Sequence, residues 1–152
     1  MSIKKAKVGF VALVVSASSF VAITSATTAN AAATSQWCKG VKIAAFPGGP
    51  QGGVFANNVY NGYVQAAKDL CPTVKYYFSD WDSAKLVTQM KEAVATKPHG
   101  MAIYGFGGPE ATGPIVDDAF KKGIIVTSLN SELTALQSKY AARGFGYVGA
   151  EL

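Results

Sequence analysis

The sequence predicts an α/β fold: a doubly wound parallel sheet of strand order 2-1-3-4-5 with helices on both faces. Short apolar runs alternate with longer segments of helical spacing, as is typical of βα units joined by right-handed crossovers. Two glycine-rich segments, residues 47–53 and 105–109, follow the first and third apolar runs. The topological switch of this order lies between those same two strands, where open α/β sheets bind ligands.

Five apolar runs have the length and composition of strands. The first run, VKIAAF, is followed by the glycine-rich loop and then by a long segment of helical spacing, VFANNVYNGYVQAAKDL. The later runs are each bounded by glycine, proline or polar residues. We predict strands at residues 41–46, 74–78, 101–104, 124–129 and 146–148.

The helices are predicted from apolar periodicity and from end signals. The second helix has an apolar stripe of period four, made of Leu86, Met90 and Val94. Asp82 or Ser83 can cap it by accepting hydrogen bonds from its first-turn amides. Pro114 falls near the first turn of the third helix, where a missing amide is tolerated. We predict helices at residues 54–70, 83–96, 112–122 and 132–139.

The N-terminus has the three parts of a secretory signal peptide. Residues 1–7 carry three lysines and no acid, residues 8–23 are apolar or small, and Ala29-Asn30-Ala31 offers a cleavage pattern. An uncleaved anchor is the alternative, but the apolar run is short for a span of about 20 residues. We therefore expect residues 1–31 to be removed near Ala31 and the mature protein to be periplasmic.

The basic character of the chain belongs largely to this leader. Its removal takes away three lysines, so the formal charge falls from +5 to +2. A nucleic-acid site needs clustered basic residues on the folded domain, and the pair Lys121-Lys122 is better explained as a solvated helix end. We expect no nucleic-acid partner.

Two cysteines, Cys38 and Cys71, remain after the leader. Each lies three residues before the first valine of a predicted strand. If those strands are parallel neighbours, the two sulfurs meet at one end of the sheet, and export permits a disulfide. We expect that disulfide, with two free thiols as the alternative.

The glycine loops do not match a nucleotide-binding motif. A dinucleotide fingerprint has glycines at its first, third and sixth positions, and Pro50 stands where the second glycine is needed after Gly48. The chain also has no GK[ST] segment. We expect no cofactor.

Catalytic and metal sites are not expected either. The single histidine, His99, precedes the third strand and therefore lies at the amino end of the sheet, away from the loops. It cannot form a metal site with two paired cysteines. Asp80 with Asp82 or Glu110 offers a carboxylate pair of the glycosidase kind, but capping and solvation explain these acids better.

The carboxyl-end loops instead combine aromatic and polar side chains. Ring faces beside amide, hydroxyl and carboxylate groups suit a sugar-like ligand, whose C–H face packs on a ring while its hydroxyls form hydrogen bonds. For Phe46, at a strand end, a core position is an equal alternative. The candidate residues are Phe46, Gln51, Phe55, Asp80, Trp81, Phe106, Glu110, Asn130 and Ser131.

The segments in order resemble type I periplasmic substrate-binding proteins of the ribose-binding-protein kind, which serve ABC importers. The resemblance covers residues 42–152. It rests on IAAF with its loop, NGYVQAAKDL, KEAVATKPHGMAIYG, ATGPIVDDAFKKGIIVTSLNS and GYVGAEL. Each piece is unspecific, but their order and spacing together are specific.

This resemblance implies two similar lobes that close on a sugar or related solute. Residues 32–152 would be the N-terminal lobe, with the second lobe absent, in a protein that is monomeric at full length and has a membrane permease as its partner. The sugar-stacking aromatic falls on Phe55. Gly105, Asn130 and Ser131 fall on polar positions of the family and depart from its ribose pattern.

We therefore expect a non-enzymatic protein that binds a sugar or polyol and delivers it to an ABC importer. One alternative is a secreted enzyme with its catalytic residues in the missing half. Another is a sensory protein that presents its ligand to a membrane receptor. A cytoplasmic repressor with the same core is disfavoured by the leader and by the lack of a helix-turn-helix segment.

Overall fold

The computed structural model describes residues 36–149, so the predicted signal peptide lies outside the described residues. The described strands are β1 (Lys42–Ala45), β2 (Thr73–Tyr76), β3 (Gly100–Tyr104), β4 (Ile125–Leu129) and β5 (Tyr147–Val148). The described α-helices are α1 (Val54–Leu70), α2 (Ser83–Ala95), α3 (Gly108–Lys121) and α4 (Thr134–Tyr140).

The five strands form one parallel sheet of order β2-β1-β3-β4-β5. This confirms the predicted strand order and its switch point between β1 and β3. The chain adds β2 on one side of β1. It then crosses to the other side of β1, where it adds β3, β4 and β5 in order. Right-handed crossovers therefore place α1 on one face of the sheet and α2, α3 and α4 on the other.

The core lies between the sheet and the face that carries α2, α3 and α4. The predicted stripe of α2 is buried there, and Leu86 and Met90 have no exposed surface. Sheet residues that point towards this layer include Ala44, Met101, Ile103 and Val126. On α4, Tyr140 stacks on Phe120 of α3 with ring centroids 4.2 Å apart.

The opposite face of the sheet is only partly covered. Helix α1 packs its aromatic residues against β2, with the Tyr60 and Tyr76 rings 4.8 Å apart. Towards β4 and β5 the sheet remains open, so Ile125 is 51% exposed and Val148 is 70% exposed. No helix in the described range 36–149 is both long enough and apolar enough to cross a membrane.

The third helix begins earlier than predicted. A 3₁₀ turn at Gly105–Gly107 runs directly into α3, which starts at Gly108 instead of near Thr112. Pro109 occupies the first turn, where its missing amide is tolerated, and Pro114 lies inside the helix. The glycines concealed this start because sequence reasoning treats a glycine run as loop.

The predicted disulfide is wrong: Cys38 and Cys71 are free. The reason is strand register. Lys42 pairs with Thr73, and Cys38 lies in a 3₁₀ helix four residues before Lys42, whereas Cys71 lies only two residues before Thr73. Cys71 also caps the end of α1 in the left-handed conformation, with φ of 61°. The two sulfurs are therefore offset along the strands.

Candidate functional site

The loops after β1 and β2 are joined to each other at the carboxyl edge of the sheet. The buried Ser79 hydroxyl donates a short hydrogen bond to the carbonyl oxygen of Gly48. The backbone amide of Trp81 donates to the same carbonyl over 3.2 Å. The first glycine loop is thus held by the segment that follows β2.

The glycines of the first loop make room for the Trp81 indole. A Cβ atom on Gly49 would lie 2.6 Å from Cε2 of Trp81, and one on Gly48 would lie 2.9 Å from its Cζ3. Asp80 and Trp81 themselves have φ of 55° and 61°, a conformation that is uncommon for residues with side chains. The loops therefore hold an indole directly against bare backbone.

Four aromatic side chains meet at this edge and are called the ring cluster below: Phe55, Trp81, Tyr104 and Phe106. Tyr104 lies at the centre, with its ring centroid 5.7 Å from Phe55, 5.3 Å from Trp81 and 5.5 Å from Phe106. The contacts are tilted or edge-to-face, as aromatic pairs prefer. Phe55 and Trp81 are 40% and 45% exposed, whereas Tyr104 is 7% exposed.

A polar pair adjoins the ring cluster. Asn130, which directly follows β4, donates a short hydrogen bond from its side-chain amide to the Tyr104 hydroxyl. Burial raises the pKa of Tyr104, while the hydrogen bond from Asn130 acts in the opposite direction. Tyr104 therefore stays protonated at neutral pH. Asn130 has φ of 60°, which asparagine tolerates better than most residues.

The charged residues of the second loop are engaged within the protein. The Asp80 carboxylate forms a salt bridge with Lys85. Asp82 caps α2, accepting hydrogen bonds from the amides of Ala84 and Lys85 over 2.8 and 3.0 Å. The predicted capping role of Asp82 is confirmed.

Phe46 must be removed from the candidate ligand contacts. Its side chain has no exposed surface and stacks on Tyr77 with ring centroids 4.9 Å apart. The burial of Phe46 supports the alternative interpretation, in which it is a core residue. Side chains alternate between the two faces of a strand, so the side chain of Phe46, which follows Ala45, points into the layer formed by α2 and α3.

Gly105 is also a packing position. A Cβ atom there would lie 2.1 Å from the carbonyl oxygen of Ser131, so the glycine lets the loops after β3 and β4 touch. Ser131 is half-buried, and its amide donates to the carbonyl of Leu129 over 2.7 Å. Gln51 and Glu110 are exposed, one in the first glycine loop and one in the first turn of α3.

Sequence reasoning missed Tyr104, the residue on which the ring cluster is centred. The pattern predicts it as the last residue of a buried strand. A tyrosine immediately before a glycine-rich loop was the available signal, because a buried tyrosine needs a partner for its hydroxyl. Ser79, which joins the first two loops, was also missed, because its hydrogen bond to Gly48 depends on a residue 31 positions away.

His99 lies at the opposite edge of the sheet, as predicted. It is exposed just before β3, and its Nδ1 atom accepts a hydrogen bond from the Lys42 amide over 2.9 Å. Within residues 36–149, no group of three histidine, cysteine, aspartate or glutamate residues is placed to hold a metal ion.

A groove of about 450 Å³ begins beside the ring cluster and runs down the open face of the sheet. Phe55 and Asn130 lie at its upper end, and Tyr63, Ala102 and Thr127 line its floor and side. Burial raises the pKa of Tyr63 well above its ordinary range. The lining of the groove is mainly apolar and includes Val59, Leu129 and Val148, together with the polar residues Thr127, Ser128 and Asn130.

No protein-family model matches the chain, and no curated protein matches it. Two solved structures share its architecture. One is a 5-methylthioribose transporter solute-binding protein from Thermotoga lettingae, solved with 5-methylthioribose: 25% identity, TM-score 0.54, covering 60% of this chain and 29% of that one.

The other is a periplasmic sugar-binding protein from Pseudomonas fluorescens, with 18% identity and a TM-score of 0.60, covering 72% of this chain and 32% of that one. The chain thus spans less than a third of the length of either protein. The described residues have the fold of part of a periplasmic binding protein. This agrees with the resemblance in the sequence.

Proposed function

We propose that this chain is the N-terminal lobe of an exported solute-binding protein, which binds a sugar or sugar-like molecule and delivers it to an ABC importer. The observation that carries the proposal is the ring cluster with its Tyr104–Asn130 pair, located at the switch point of the sheet. The two solved proteins described above are named as binding proteins of sugars or a sugar derivative.

The proposal includes the organisation of the longer protein. Residues 1–31 act as a leader, residues 32–152 form the first lobe, and a second lobe supplies the facing wall of the cleft. The ligand is bound in the periplasm, and the permease in the membrane is the partner. The greater length of the two solved proteins supports a second lobe, since the match covers only 29% and 32% of them.

Within this lobe, we place the ligand contacts on Phe55, Trp81 and Asn130, with Gln51 at the rim. The two rings offer exposed faces, and the Asn130 amide and Tyr104 hydroxyl offer directional hydrogen bonds. Glu110 and Ser131 lie close in sequence to these loops and stay secondary candidates. The role is binding without catalysis, and it requires no cofactor.

The test measures ligand binding by the exported protein. Tryptophan fluorescence and calorimetry monitor the binding of a panel of sugars, polyols and 5-methylthioribose. A Trp37→Phe background leaves Trp81 as the tryptophan reporter within residues 32–152. The exchange leaves the site intact because Trp37 is 75% exposed and outside the ring cluster. We expect saturable binding by at least one compound and its loss in Phe55→Ala. A folded protein that binds no member of the panel would refute the sugar assignment.

A further inference from the structure

The exposed surface of the ring cluster comes mainly from Phe55 and Trp81, which are 40% and 45% exposed. Tyr104 and Phe106 pack against these two rings. Among the described residues, the side-chain hydrogen bond made to a member of the cluster is the one from Asn130 to Tyr104. A wall of this kind favours a ligand that has an apolar surface of its own.

The Asn130–Tyr104 pair has the capacity to recognise one hydroxyl group. Its internal hydrogen bond uses an amide proton of Asn130 and a lone pair of Tyr104. The Tyr104 hydroxyl proton and the Asn130 carbonyl oxygen then remain to donate and accept. A ligand hydroxyl both accepts and donates, so one hydroxyl satisfies both groups.

The acidic side chains beside the ring cluster are largely engaged within the protein. Asp80 is paired with Lys85, and Asp82 accepts two amide protons at the start of α2. The cations that lie over aromatic rings in the described residues are over Tyr77, Phe120 and Tyr140, outside the ring cluster. An anionic ligand group would therefore find no counter-charge on these four rings.

From these three features we infer that the ligand is an uncharged sugar or polyol that carries an apolar substituent, such as an alkyl, thioalkyl or aryl group. The substituent lies on Phe55 and Trp81, and one hydroxyl is held by Asn130 and Tyr104. This inference rests on the proposed function, because it concerns the same site.

The physical reason for this preference is that an apolar substituent and a hydroxyl group differ in the free energy of leaving water to face the rings. An apolar substituent gains from leaving water in proportion to its area. A hydroxyl in the same place would lose its hydrogen bonds to water without a replacement. We therefore expect an aryl-substituted sugar to bind about tenfold or more tightly than its methyl counterpart.

The test compares methyl and phenyl β-D-glycosides of glucose, galactose and xylose. The readout is the indole N–H signal of Trp81 in a proton–nitrogen correlation spectrum, assigned with the Trp37→Phe variant. We expect the phenyl glycoside to bind about tenfold more tightly in at least one pair. Phenol alone serves as the control for binding to rings without a sugar.

Two variants make the result specific. Phe55→Ala should remove most of the preference for the phenyl member, and Phe55→Leu, which keeps apolar area, should retain part of it. Methyl and phenyl members that bind equally, or a tighter methyl member, would overturn the inference while leaving the proposed function intact. No response of the Trp81 signal to any of these glycosides would also overturn the inference, while the wider panel of sugars, polyols and 5-methylthioribose tests the proposed function separately.

Discussion

At the residue scale, the site depends on where one indole lies. Trp81 adopts a backbone conformation that is rare for a large residue, with φ of 61°, and it packs on Gly48 and Gly49. Such conformations persist only where surrounding contacts determine them. Here the contacts are the hydrogen bonds from Ser79 and from the Trp81 amide to the Gly48 carbonyl.

We predict that Gly49→Ala displaces the Trp81 ring with little loss of stability. The new Cβ atom would lie 2.6 Å from the indole, and the ring can yield because it is half exposed. The expected result is an altered Trp81 fluorescence and near-ultraviolet circular dichroism signal in the Trp37→Phe background. The melting temperature should fall by only a few degrees, which corresponds to about 1 kcal/mol.

Gly62→Ala is the matched control. It lies inside α1, and a Cβ atom there meets nothing within 4 Å. It should stabilise the protein by about 0.5–1 kcal/mol, because glycine is unfavourable in a helix interior. An unchanged Trp81 signal in Gly49→Ala would show that the glycine does not position the indole.

At the element scale, the short helix α4 is tied to α3 through one carboxylate. Asp117 accepts hydrogen bonds from the Tyr140 hydroxyl over 2.5 Å and from Lys139 over 2.9 Å. These hydrogen bonds, from Tyr140 first and then Lys139, lower the pKa of Asp117 below its usual value of 3.8. The ionised form therefore stabilises the packing of the segment that follows Asn130.

We predict that Asp117→Asn lowers stability at neutral pH by about 1 kcal/mol or less, since the pair is near the surface. Because the folded pKa lies below the unfolded one, this contribution is fully present above about pH 5. This stabilising contribution is lost as the pH falls through the pKa that Asp117 has in the folded protein. The difference in melting temperature between the variant and the unaltered protein should thus narrow below about pH 4.

Asp118→Asn is the neighbouring control for this experiment. Asp118 pairs with Lys122 within α3 and does not join two helices. Its effect should be smaller than that of Asp117→Asn at every pH. Equal effects of the two substitutions would mean that Asp117 does not anchor α4.

At the scale of the whole molecule, the proposed function makes the described residues one wall of a cleft. The ring cluster and Asn130 face outward from the carboxyl edge of the sheet, and Phe55 and Trp81 are exposed. In a two-lobed binder, closure removes water from around the ligand and adds contacts from the second wall. The isolated lobe has neither contribution.

We predict that the isolated lobe binds its ligand on the order of a thousandfold more weakly than a protein with both lobes, a difference of several kcal/mol. Calorimetry on both forms with the same ligand measures this ratio. Phe55→Ala in each form is the control, and it should weaken binding in both. Closely similar affinities would contradict closure as the source of tight binding.

Much of the fold could be predicted from the sequence because alternating apolar periodicity reports strand and helix directly. The strand order followed from right-handed crossovers, and the two glycine loops after β1 and β3 indicated the edge of the candidate site. Phe55, Trp81, Phe106 and Asn130 are predicted there because each stands in, or just after, a loop at that edge.

Other features depended on contacts between distant segments, which the sequence alone does not determine. Strand register offset Cys38 from Cys71, and side-chain alternation at the end of β1 buried Phe46. Tyr104 became the centre of the ring cluster only when three loops met around it. Local pattern thus determined the elements and the edge that carries the site, while register and packing decided which side chains reach it.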